Sequence, residues 1–173
     1  MKTTKDLAII GVYAALLVGG QFALSAISGV EIVTILFTAF CFYFGVWRGI
    51  AVGVTFSLLR TLVFGFFPNV LILYLVYYTL FAVVIGLIGN AMNRSIDIKN
   101  LIIIVLTVLA LTVIFTLLDN IITPLYYAYS EKMAKAYWVS SVATLIPQVI
   151  CAGITVSLLF LPLVRIFEKI KLE

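Results

Sequence analysis

The sequence has no histidine, only two cysteines and little charge of either sign, with Asp, Glu, Lys and Arg together making 10% of its 173 residues. Without histidine, Ser-His and Cys-His nucleophile pairs, imidazole ligation of haem and most zinc sites lose the residue they depend on. Cys41 and Cys151 stand far apart in apolar surroundings and read as small packing residues rather than a redox pair. No GxxxxGK[ST] phosphate loop occurs, so any energy from ATP must be supplied by another chain.

Apolar side chains are what the chain has in excess. They make up 65% of it, against roughly 45–50% in an ordinary soluble domain, which excludes a water-solvated globule. The length accommodates about six spans of roughly 20 residues with short links and leaves no room for a second soluble domain. The fold class expected is an all-α integral membrane protein, a six-transmembrane-helix bundle forming a single domain over residues 1–173.

The polar, basic opening MKTTKD precedes an apolar run from about Leu7 to Leu24, too long for a cleaved secretory signal and read as a retained helix. A second run, about Val30 to Val46, ends at Trp47 and Arg48, residues suited to a membrane surface. The third covers Gly49 to Phe66, and Pro68-Asn69 restarts the chain as a fourth that runs to about Asn90. Asn93, Arg94, Asp97 and Lys99 make the most polar stretch, a loop in water. The fifth span is expected from about Leu101 to Ile122, ending at Thr123-Pro124. The sixth, from about Tyr137 to Phe167, is long enough to tilt or project past the lipid, with a kink at Pro147.

Six spans put both termini on one side, and the distribution of basic residues chooses the cytoplasmic one. That choice places Lys2, Lys5, Arg48, Arg94, Lys99, Arg165, Lys169 and Lys171 inside and only Lys132 and Lys135 outside. The net charge of +4 is therefore mostly a topology signal directed at the lipid bilayer, and no nucleic acid partner is expected.

Gly11, Ala15 and Gly19 recur at four-residue spacing on the first helix, a small-xxx-small stripe that lets another helix approach closely. The approaching helix belongs either to the same bundle or to a partner. Ionisable groups inside a bilayer cost a few kcal/mol or more, so each needs a partner, water or a ligand. Arg60, roughly 16 Å along from Gly49, falls near the midplane, while Asp119 and Glu31 lie toward the external side. These three form a salt bridge pinning helices or line a polar pocket that opens outward, and Glu31 also suits the first turn of a helix. Asn120, Thr123 and Tyr127 recur at i, i+3 and i+7, Asn69, Tyr74, Tyr77 and Tyr78 lie in the outer half of the fourth span, and Gln148 sits near the midplane of the sixth. A cavity at that depth accounts for all of them. Tyr126, Tyr129, Tyr137 and Trp138 read as an aromatic belt at the interface. Aromatic walls with a few polar groups suit a small, water-soluble, ring-containing molecule. A metal site and a cofactor are not expected, because neither His nor a dense carboxylate cluster is available.

The whole chain, with its basic amino terminus, the first helix DLAIIGVYAALLVGG, the short loop SAISGVEIVT and the basic carboxyl end, resembles the substrate-binding S-components of energy-coupling factor (ECF) vitamin transporters. Members carry small residues on the first helix, often as AxxxA; here Gly11, Ala15 and Gly19 occupy that stripe, with Gly in place of some Ala. The resemblance implies capture of a vitamin or vitamin precursor in a prokaryotic cell membrane, a transmembrane coupling subunit meeting the stripe, and two ATPase subunits. It also implies that SAISGVE, with Ser28 and Gly29, gates the pocket, where residue patterning alone reads an ordinary turn. Arg60 would suit an acidic substrate such as pantothenate, the tyrosines a pyridoxine or hydroxymethylpyrimidine ring, and cobalamin and folate stay open. Substrate contacts are expected from Glu31, Arg60, Asn69, Tyr74, Tyr78, Asp119, Asn120, Thr123, Tyr127 and Gln148. The alternative class is a cell-shape scaffold that uses the stripe to hold partner helices. For an enzyme, no nucleophile, base and metal arrangement with the required spacing is found.

Overall fold

The computed structural model describes residues 4–27, 32–94 and 97–169. Glu31, Ser28 and Gly29, named above, lie outside the described residues, as do Lys2 and Lys171. Within them the chain is all helical, with six helices: α1 (Thr4–Leu24), α2 (Val33–Phe44), α3 (Val46–Phe64), α4 (Pro68–Ala91), α5 (Ile98–Tyr126) and α6 (Glu131–Lys169). Five of them are long and apolar enough to cross a membrane. Their outer faces are apolar too, with Leu62, Leu125 and Val139 among the large side chains turned outward. That is the inside-out surface of a membrane-embedded, multi-pass protein.

The exception is α2, expected as a full span. It has 12 residues, about 18 Å of helix against a hydrocarbon core of roughly 30 Å. Ten of the 12 are buried, so α2 is apolar on every side because it is enclosed, and α1, α3, α4 and α6 pack around it. Its end comes early because Gly45 adopts φ +83, a conformation that L side chains rarely take, and α3 begins at the next residue. The apolar run therefore continues across a sharp joint that hydropathy does not register.

Other boundaries move as well. α5 carries Pro124 inside its last turn and runs on to Tyr126, because a proline that close to the end removes little of the hydrogen-bond ladder. α6 starts at Glu131, six residues before the expected position, and holds Pro147 and Pro162 within one 39-residue helix of about 58 Å.

Successive helices run in opposite directions. Asp6 near the start of α1 forms an ion pair with Arg48 near the start of α3 (2.9 Å), and the rings of Tyr13 and Phe44 both meet Phe167, close to the end of α6. Both described ends of the chain thus lie at one end of the bundle, here called the terminal end. At the opposite, distal end, Phe22 meets Phe64 and the starts of α4 and α6 join the end of α5. The terminal half is filled by rings: Phe40, Phe44 and Phe167 meet one another in tilted and edge-to-face contacts, and Phe42 meets Phe160 edge to face. There α4 approaches α2 so closely that a Cβ on Gly89 would lie 2.3 Å from the carbonyl oxygen of Phe42, and one on Gly86 would lie 2.7 Å from the nitrogen of Val46.

Candidate functional site

Polar side chains collect at the distal end. Asn69 lies in the first turn of α4, where Pro68 supplies the fixed φ that starts the helix. Its buried amide donates to Thr123 Oγ1 (3.1 Å), Thr123 in turn donates to Asp119 Oδ1 (2.7 Å), and Tyr137 of α6 donates its phenol to Asp119 Oδ2 (2.6 Å). Tyr127 closes the group by donating to Asn69 Oδ1 (3.3 Å). Asp119 and Thr123 are one helical turn apart, which is why a single carboxylate reaches both its own helix and its neighbour. The network ties α4, α5 and α6 together where the bundle would otherwise splay.

Asn120, the next residue, faces elsewhere. Its Nδ2 donates to Ser141 Oγ of α6 (2.8 Å), while its Oδ1 is buried with no hydrogen-bond partner among the described residues, although the residue as a whole is only 4% exposed. Between α5 and α6 at this level lies a cleft of about 280 Å³ lined by Phe115, Thr116, Asp119, Tyr137, Ser140, Ser141, Thr144 and Gln148. Asp119 of α5 and Gln148 of α6 thus both line this cleft. Gln148 itself lies about 25 Å along α6, since that helix begins earlier than expected.

Arg60 is not beside Asp119. The ion pairs among the described residues are Arg48–Asp6 and Lys135–Glu131, so the expected bridge to Asp119 is not made, and Glu31, its other expected partner, lies outside the described residues. Nor does Arg60 sit at mid-helix: it is one turn from the distal end of α3. Its guanidinium lies over two rings, Phe64 at 4.9 Å and Tyr74 at 4.4 Å, an arrangement that holds a cation without a counter-charge. Its Nε is buried without a hydrogen-bond partner among the described residues. Tyr74 also accepts a hydrogen bond from Gln21 Nε2 of α1 (2.9 Å) and meets Phe115, one of the residues lining the cleft, ring to ring at 5.8 Å. Tyr74 thus touches both the guanidinium and a residue of the cleft lining, while Arg60 itself is not part of that lining. Tyr78 is buried among Phe37, Phe56, Tyr74 and Tyr77, one of the walls behind the site.

Five participants escaped the sequence reading. Tyr137 is more than a belt residue, since its hydroxyl is committed to Asp119. Gln21, the partner of Tyr74, had no periodic companion that would mark it. Ser140, Ser141 and Thr144 line the cleft one to two turns of α6 before Gln148, and that hydroxyl stripe was the legible signal.

The small-residue stripe faces outward. Gly11, Ala15 and Gly19 are exposed, and a Cβ on either glycine would meet nothing within 4 Å, so the bundle's own helices do not use it. Ala15 and Gly19 instead edge an apolar groove of about 380 Å³ with Phe22, Leu59 and Leu62. No family model matches the chain, and no curated protein or solved structure matches it either.

Proposed function

We propose that the chain is the membrane-embedded substrate-binding subunit of an ECF-type transporter, an S-component of a prokaryotic cell membrane that captures a small water-soluble vitamin or vitamin precursor. The observation that carries this reading is the concentration of costly polar groups at one end of an otherwise apolar bundle, next to a cleft of about 280 Å³. The basic residues Lys5, Arg48, Arg94, Lys99, Arg165 and Lys169 belong to the terminal end, which makes that end cytoplasmic and turns the cleft outward. The outward-facing stripe on α1 is the docking surface for the transmembrane coupling subunit, and two ATPase subunits supply the energy. A cell-shape scaffold would use the same stripe but has no use for a hydrophilic cleft.

Mild-detergent extraction followed by mass spectrometry of co-purifying small molecules tests capture; a vitamin or precursor retained in stoichiometric amount is expected. The docking role is tested by Ala15→Trp, expected to abolish uptake in cells while leaving ligand affinity of the isolated subunit unchanged. Normal uptake with bulk at position 15 would overturn the role given to the stripe.

A further inference from the structure

The charge of the cleft narrows what it accepts. Of the residues that line it, Asp119 is the one carboxylic acid, and none is a Lys or Arg. Its carboxylate accepts from Thr123 and Tyr137, both neutral, and these two bonds leave part of its accepting capacity free. No Lys or Arg among the described residues forms an ion pair with it. Arg60 is held over the Tyr74 ring and is not part of the lining, and Lys135, at the start of α6, is paired with Glu131. Beside the lining, the Oδ1 of Asn120 is a second acceptor, buried and with no hydrogen-bond partner among the described residues, on a side chain whose amide is fixed by the cleft residue Ser141. A half-buried carboxylate without a counter-ion keeps a net negative potential in a medium that screens poorly, and an empty buried acceptor calls for a donor.

From this juxtaposition we infer that the cleft between α5 and α6 binds a cationic or amino-bearing heteroaromatic molecule, with Asp119 as its counter-charge and Phe115 as an aromatic contact. The inference rests on the capture reading above and gives it a substrate class. An acid is repelled by the same carboxylate, so the guanidinium of Arg60 acts in holding Tyr74 and not as an anion receptor. The volume, about 280 Å³, admits one substituted ring or a pair of small ones and excludes a corrinoid or a pteridine-glutamate conjugate.

The test is titration of the purified full-length protein in detergent, by calorimetry, with thiamine and pyridoxamine as cationic probes and pantothenate and nicotinate as anionic ones. Saturable binding of at least one cation and of neither anion is expected, and Asp119→Asn, which keeps the shape and removes the charge, is expected to weaken that binding roughly 10- to 100-fold. Binding of an anion in preference to the cations, or a cation held equally well by Asp119→Asn, would overturn the charge assignment and leave capture standing. If none of the four probes binds and no ring compound co-purifies, the capture reading falls and this inference with it. The wild-type comparison of cations with anions decides the matter even where the variant fails to fold.

Discussion

The two ends of the bundle are built on opposite principles. At the terminal end, Phe40, Phe42, Phe44, Phe160 and Phe167 fill the space between α2 and α6, and Gly86 and Gly89 bring α4 into backbone contact with the joint between α2 and α3. At the distal end α4, α5 and α6 are joined by hydroxyls, amides and one carboxylate, and three buried polar atoms, Gln21 Oε1, Arg60 Nε and Asn120 Oδ1, have no hydrogen-bond partner among the described residues. Packing of the first kind loses contacts if anything moves, because dispersion falls away over less than an ångström. Hydrogen bonds between polar side chains tolerate exchange with water or with a ligand's own groups. The terminal end is thus the rigid base, and the distal end is where the molecule is able to open.

The sharpest way to break this contrast is to introduce bulk at the terminal end. Gly89→Leu places carbon where the Phe42 carbonyl already stands, backbone against backbone, so neither side yields by rotamer change. The expected cost exceeds the roughly 1–3 kcal/mol of ordinary overpacking, and size-exclusion chromatography in detergent should find no monodisperse protein. An intermediate effect is expected from Thr123→Val, which removes both the acceptor for Asn69 and the donor to Asp119. A loss of about 1–3 kcal/mol, read as a lower thermal midpoint of a protein that still folds, would agree with a network that ties but does not fill. A Thr123→Val variant as destructive as Gly89→Leu would erase the distinction between the ends. The smallest effect belongs to Gly11→Leu, where a Cβ meets nothing: stability should stay within about 0.5 kcal/mol of the parent by the same thermal measurement.

Much of the fold was legible because hydropathy, proline and glycine mark helix ends directly. Pro68 opens α4 where expected, and α1 ends at Leu24 as expected. The length of α2 was not legible, since an enclosed helix and a lipid-facing one look equally apolar, and only the positive φ of Gly45 divides it from α3. For the site, helical spacing put Asn120, Thr123 and Tyr127 together at the end of the fifth span, and the structure has Asn120 and Thr123 in the last turns of α5 with Tyr127 just past its end. The spacing did not reveal that Asn120 turns to α6 while Thr123 turns to α4, because those choices depend on neighbours distant in the chain. Arg60 illustrates the same limit. A buried cation suggested a carboxylate partner, whereas the tertiary structure supplies the faces of Phe64 and Tyr74.

The brevity of α2 bears on how the protein is made. Twelve residues closed in on nearly every side offer too little greasy length to halt in a translocating channel and almost no surface for lipid to hold. With a single residue linking it to α3, and with α4 and α6 following it in the chain, α2 reaches its enclosed position only once those helices are in place. Biogenesis and tertiary assembly are therefore a single event at this helix.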